Sequence, residues 1–475
     1  MDKDTQGRLD SQVRRVRQCR RQMVDDHDLC FTKLLPKEQV EAALERHQVH
    51  FRERLYTPLL TIWTFLYQVL ASDQSCRAAV ARLLAFLCVS GHGSGSAKTD
   101  PYCRARQRLP EKLMADLARS SGLELHRQVQ PMGLLGGRPI KIADGTTVSM
   151  PDTPANQKAY PQQSAQKRGL GFPILRMVGL ISLSCGAVLD VAMGPYRGKR
   201  TGETALLRQL LGQLEAGDVL LADAIFSGYP TLALLLRQGV DMIAHHDGKR
   251  HVNFRQGQRL GRYDHVVQWH KPVRPFWMSQ KLYRALPETL TVREVKVEVS
   301  QKGFRRRHLL LVTTLLDAQV YRKEELATAY RCRWHAELDL RSIKDVMKAM
   351  PTGRQVDVLR CKSPAMVRKE IWMHLLAYNL IRKLMAQAAA VAGICPRDIS
   401  FKGTLQTLVA FAAAGWSCPG LRNELYAAVL KAVATHRVND RPDRVEPRAV
   451  KRRPKKQIYL TEPRSIAKAR LLNGA

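Results

Sequence analysis

The hydrophobic and polar positions divide the chain into a helical beginning, an alternating strand-and-helix middle and a basic end. From Pro36 to about Val89 the spacing is helical, in KEQVEAALERH, YTPLLTIWTFLYQVLA and SCRAAVARLLAFLC. Pro36 and Pro58 suit helix starts, and Asp73 or Ser75 suits an N-cap. Ser90 to Thr99, SGHGSGSAKT, is a break. The basic stretch after it predicts another helix, with Arg104, Arg106 and Arg108 close together, as phosphate contacts or as a plain surface.

Past the glycine-rich turn at Gly133 to Gly137 the period changes. Ile140 to Asp144 reads as a buried strand, and Arg176 to Ser184 and Ala187 to Met193 as a hairpin turning at Cys185-Gly186. Thr204 to Leu214 predicts a helix, Val219 to Asp223 a strand, Pro230 to Arg237 a helix and Asp241 to His245 a short strand. Residues from Asp247 to about Arg307 break this pattern with strongly basic, alternating segments, and His308 to Thr314 reads as a returning strand. Met366 to Met385 predicts a long amphipathic helix.

Between these last two lies Tyr330 to Lys344, YRCRWHAELDLRSIK, which holds neither Pro nor Gly and predicts one helix. On it Tyr330, Arg333, Glu337 and Lys344 share a stripe about 60° wide. A stripe of this kind is either a solvated face with local ion pairs or one wall of a site. Upstream, two apolar runs each end in an acid, IKIAD at Asp144 and DVLLAD at Asp223.

Composition narrows the partner. The 475 residues suffice for two to four domains. A net charge of +35, spread along the whole chain, favours a polyanion: nucleic acid, ribosomal RNA or an anionic membrane surface. The ten cysteines form no CxxC pair, which argues against a zinc ribbon and for a reducing compartment. The N-terminus lacks a signal-peptide core, and apolar runs such as Leu59 to Ala71 are too short to span a membrane. The expectation is a cytoplasmic, soluble protein acting on nucleic acid. The basic run over residues 1–30 is a solvated helix or a DNA-contacting arm, and RPDRVEPRAVKRRPKK near the end is a solvated tail or a segment that DNA orders.

The stripe matches Y-x2-R-x3-E-x6-K at every position. With the ADGTTVSMPDTPANQ and LLADAIFSGYP blocks, the chain resembles the DDE transposases of the insertion-sequence-four type from about residue 30 onward. One departure is visible: many relatives carry Arg after the second Asp, where this chain has Ala224. The resemblance implies an α/β fold, a ribonuclease H-like mixed sheet flanked by helices, with a β-rich insertion and a helical N-terminal domain. The expected organisation is a DNA-binding domain at 1–90, a basic helical linker at 91–135, the catalytic core at 136–246 and 308–395, the insertion at 247–307 and a basic region at 396–475.

It also implies that Asp144, Asp223 and Glu337 are catalytic ligands of two Mg²⁺ ions, with Mn²⁺ as a substitute. Asp144 would bridge them, with one other carboxylate on each. Hard cations take oxygen ligands, and a two-metal site serves attack on a phosphodiester. Tyr330, Arg333 and Lys344 are the implied DNA-binding residues. In the family a Trp of the insertion stacks on a flipped base. Trp269 and Trp277 are the candidates here, with ordinary packing as the alternative. Asp152, Asp190 and Asp247 read as structural, and His245 and His246 as solvated imidazoles in a turn. The implied partners are double-stranded DNA, at transposon ends and target, and a second copy of the chain in a homodimeric synapse, with no membrane. The implied activity is end binding, cleavage and strand transfer. The alternatives are a catalytically silent DNA-binding relative and a ribonuclease H-like nuclease without strand transfer.

Overall fold

The computed structural model describes residues 33–51, 55–71, 73–89, 95–298, 308–347, 359–417, 422–438 and 461–473. The basic runs at 1–30 and 439–456 lie outside them. The chain divides into two compact units, one helical (1–129, 187–189, 340–438) and one built on a sheet (130–186, 190–339, 439–475).

The helical unit starts with α1 (Lys37–Arg46), α2 (Pro58–Leu70), α3 (Cys76–Val89), α4 (Asp100–Arg108) and α5 (Glu111–Gln128). Thr57 caps α2 by accepting from the Leu60 N–H at 3.3 Å. Ser75 accepts from the Ala78 N–H at 3.0 Å at the start of α3 and donates to Asp73 at 2.7 Å, so both expected capping residues take part.

In the sheet unit the chain runs β1 (Ile140–Ser149), α6 (Pro154–Ala159), β2 (Ile174–Ser182), β3 (Val188–Pro195), α7 (Glu203–Leu210), β4 (Val219–Ala222), α8 (Tyr229–Leu236) and β5 (Asp241–His245). It continues through β6 (Gln258–Gly261), β7 (Asp264–His270), α9 (Gln280–Arg284), β8 (Thr289–Glu298), β9 (His308–Thr313), α10 (Lys323–Arg331) and α11 (Trp334–Met347). The strands form one nine-stranded sheet in the order β3-β2-β1-β4-β5-β9-β8-β7-β6. Its first five positions have the ribonuclease H-like arrangement, with β2 antiparallel to β1 and β1, β4 and β5 parallel. Four successive buried residues open β1, and all four residues of β4 are buried, as strands covered on both faces require.

The insertion is β-rich, but its strands continue the core sheet: β8 pairs with β9, and β9 with β5. A buried polar cluster holds this junction. Arg293 clasps Asp264 through two bonds of 2.8 and 2.6 Å. Glu294 accepts from Trp269 Nε1 at 2.9 Å and faces His265 Nε2 at 2.9 Å. His246 corrects an expectation. It is buried, with Nδ1 accepting from the Gly248 N–H at 3.1 Å and Nε2 at 3.7 Å from Glu294, where the sequence suggested a solvated imidazole. Burial pushes its pKa down. Glu294 comes from a strand far along the chain, which a local reading does not reach.

Two more elements differ from expectation. Tyr330 to Lys344 is not one helix: α10 ends at Arg331 and α11 begins at Trp334. Between them the N–H groups of Arg333, His335 and Ala336 bond three residues back, at 2.9, 3.0 and 2.9 Å. This tighter winding needs no Gly or Pro, so the sequence carries no mark of it.

The second is α12 (Pro364–Ala392), which with α13 (Phe401–Ser417) and α14 (Arg422–Thr435) completes the helical unit. It runs 29 residues and is buried on almost every side, where an amphipathic helix was expected. Several of its polar residues are matched by hydrogen bonds. Glu370 accepts from the N–H groups of Arg360 and Cys361 at 2.8 and 2.9 Å, and Arg382 donates to Tyr378 at 2.8 Å. Burial pushes His374 down to about 3, which keeps it neutral. Asn379 donates to the carbonyls of Ala118 and Val188 and accepts from the Val188 N–H, each at 2.9 Å.

Gly122 lies at the same crossing, and a Cβ there would stand 2.1 Å from the Val188 carbonyl oxygen. Gly122→Ala should therefore destabilise the protein by about 1–3 kcal/mol through overpacking and a strained hydrogen bond. Urea unfolding against wild type measures this, and an unchanged midpoint would contradict the packing.

Candidate active site

The two aspartates are brought together by strand pairing. Ala143 stands opposite Ala222 in the last pair of the parallel β1–β4 ladder, so the next residues, Asp144 midway along β1 and Asp223 directly after β4, stand side by side. On the other flank of Asp144 the β2 partner is Gly179, which leaves room beside the carboxylate. Asp144 Oδ1 accepts from the Gly145 N–H at 2.9 Å. Asp223 is exposed and accepts from the Ala224 N–H at 2.8 Å, opening the turn after β4. The Ala224 substitution leaves that bond intact, because a backbone N–H makes it.

Glu337 sits in the first turn of α11, where the positive end of the helix dipole favours a carboxylate. Arg333, in the tight turn before α11, lies between the acids. Nη1 is 3.7 Å from Asp144 Oδ2, and Nη2 is 3.7 Å from Glu337 Oε1. Tyr330, buried at the end of α10, has the Arg333 guanidinium 5.8 Å from its ring centre.

Electrostatics tie the group together. Burial raises the Asp144 carboxyl above its ordinary value, with Glu337 and Asp223 adding to the rise, while Arg333 and the Gly145 N–H oppose it. For Arg333, burial lowers the guanidinium, but Tyr330, Asp144 and Asp223 outweigh that and hold it up. Burial raises the Tyr330 phenol, and Asp223 adds to the rise against Arg333. Five predicted residues thus share one field: Asp144, Asp223, Tyr330, Arg333 and Glu337. Lys344 lies two turns along α11, half-buried, on the same stripe as Glu337.

Among the described residues no three Asp, Glu, His or Cys side chains stand close enough together to hold a metal ion. The donor set nonetheless fits a hard divalent cation: three carboxylates, no soft ligand, and an Asp144 carboxyl raised by burial and by the neighbouring acids.

Sequence reasoning missed Glu203. Its carboxylate lies flat on Gly145, where a Cβ would meet it at 2.6–2.9 Å, and its partner is Arg176 at 3.9 Å. A glycine inside a strand, directly after Asp144, was the available signal. Of the two candidate tryptophans, Trp269 is buried and bonded to Glu294, a packing residue. Trp277 is half-buried, with Arg208 3.8 Å over its ring. Asp152 and Asp247 make local bonds, to the Gln157 side chain at 2.8 Å and the Lys249 N–H at 3.0 Å.

Because Asp144 titrates above its unfolded value, its contribution to stability is full below the unfolded pKa and is lost as pH rises through the folded one. At neutral pH in chelator, Asp144→Asn should melt above wild type. A lower melting temperature would contradict the net unfavourable field at this position.

Comparison with known proteins gives the family. The family model described as the transposase DDE domain matches residues 135–380. The chain is 28% identical over 369 residues to the transposase InsG for insertion sequence element IS4 of Escherichia coli strain K12, covering 76% of this chain and 78% of that protein. It is 25% identical over 216 residues to the putative transposase InsZ of the same strain, covering 44% of this chain and 68% of that one. Among solved structures, a piggyBac transposase synaptic complex with hairpin DNA aligns with a TM-score of 0.39 and 12% identity, over 87% of this chain and 85% of that one. Among the described residues no helix is long and apolar enough to cross a membrane. With the DDE domain matched over more than half its length, this chain belongs to the DDE transposases, of the insertion-sequence-four type.

Proposed function

We propose that this chain binds the terminal repeats of an insertion sequence in the cytoplasm, cleaves the phosphodiester bonds at the element's ends and transfers the freed strands to target DNA. The observation that carries this reading is the meeting of Asp144 and Asp223 just past the last pair of the parallel β1–β4 ladder, with Arg333 reaching from Asp144 to Glu337.

Asp144, Asp223 and Glu337 would hold two Mg²⁺ ions, or Mn²⁺ in their place. When bound, these would activate the attacking oxygen and stabilise the leaving 3′-oxygen. The protein's own groups orient the DNA strand. Arg333 has the planar fork that binds a phosphate through two bonds, Lys344 supplies a point charge, and the neutral Tyr330 hydroxyl donates to a phosphate oxygen. Arg333 also favours the ionised form of Asp144, since its charge opposes the rise in that carboxyl's pKa. Two DNA ends are paired in a homodimeric synapse.

Labelled duplex from the flanks of this reading frame tests the proposal. In Mg²⁺, the wild type should cut at the element's ends, and EDTA should stop it. Asp144→Asn, Asp223→Asn and Glu337→Gln should each lower the cleavage rate by on the order of 10³-fold while end binding persists. Cleavage retained in Glu337→Gln would sink the assignment. Nicking without joined products would favour a nuclease over a transposase.

A further inference from the structure

The loop between β3 and α7, residues 196–202, reads Tyr-Arg-Gly-Lys-Arg-Thr-Gly. Arg197, Lys199 and Arg200 are exposed, and among the described residues no carboxylate pairs with any of them. Three cations within four positions repel one another. Arg200 also takes a left-handed backbone conformation, φ +60°, which glycine or asparagine adopts at less cost. The chain thus holds a cation at a position whose backbone favours a smaller residue.

The loop is anchored at both ends. Tyr196 donates its N–H to the Ile174 carbonyl at 3.1 Å, and its ring lies 4.5 Å under the Arg176 guanidinium. Arg176 donates to the Thr201 carbonyl at 3.3 Å, and the Thr201 hydroxyl closes on the Gly198 carbonyl at 3.0 Å. Arg176 also faces Glu203, whose carboxylate lies across Gly145, the residue after Asp144. The basic loop is therefore fastened to β2, the strand paired with the one that carries the first candidate catalytic carboxylate.

We propose that residues 197–200 form a phosphate clamp that grips the backbone of duplex DNA beside the active site, independently of sequence. This rests on the proposed DNA-cleaving function and specifies a surface for it. Phosphodiester oxygens are the matching chemistry: closely spaced anions that neutralise closely spaced cations without reading bases. The duplex is either the element's end or the target, which share that backbone.

The test is the salt dependence of DNA binding by the full chain in EDTA, with one duplex carrying the element's end and one of unrelated sequence. The triple variant Arg197→Ala/Lys199→Ala/Arg200→Ala should bind more weakly, with the slope of log K against log salt reduced by about 0.9 per engaged cation. A reduction on the end duplex alone assigns the clamp to the end, and one on both duplexes assigns it to any backbone. Either supports the proposal. Arg200→Gly suits the positive φ and removes a single charge, so it should lose about one unit of slope with the loop intact, and Arg200→Lys should restore it. An unchanged slope on both duplexes would overturn the clamp, as would weaker binding in Arg200→Gly that Arg200→Lys does not rescue. Neither result would touch the cleavage reading, which is tested separately by cutting in the wild type and its loss in Glu337→Gln.

Discussion

The arrangement depends on placing like charges together where the parallel ladder of two strands ends. Asp144 and Asp223 come from distant points in the chain, and only the β1–β4 register sets them side by side. Glu337 adds a third carboxylate from a helix N-terminus. Such a group is unfavourable in a partly buried site, and the raised Asp144 carboxyl records that cost. Arg333 offsets part of it. The rest is tolerated because strands buried on both faces and a continuous sheet hold the backbone in place.

The insertion adds rigidity to that frame. Its strands extend the core sheet, and the junction is made by buried polar groups with near-complete hydrogen bonding: Arg293 with Asp264, and Glu294 with Trp269 and His265. Groups of this kind contribute little net stability but penalise a wrong register, since a slipped strand would leave charges buried and unpaired. The loop before α7 joins the frame through Arg176 and Glu203. The basic character of the chain, net +35, thus has at least one surface where it is held in a defined shape.

Much of the core was legible because its signals are local. Short apolar runs ending in acid mark β1 and β4, and the Asp241–His245 strand matches its expected bounds. What was not legible depends on distant partners or on backbone winding. His246 looked solvated because Glu294 and Trp269, which bury it, lie far along the chain. The tight turn at Cys332–Arg333 has no Gly or Pro to announce it, yet it is what lets Arg333 reach Asp144 and Glu337 together. The charged residues of α12 suggested a solvent face, but their partners are helices and loops from elsewhere in the chain.

The central claim is that Asp144, Asp223 and Glu337 act as one metal-binding unit. The most direct measurement is Mn²⁺ binding, followed by electron paramagnetic resonance, to the protein on duplex carrying the element's end. Wild type would be compared with Asp144→Asn, Asp223→Asn and Glu337→Gln. The account predicts that each substitution weakens uptake at the same sites. Mn²⁺ uptake unchanged in all three variants would contradict it.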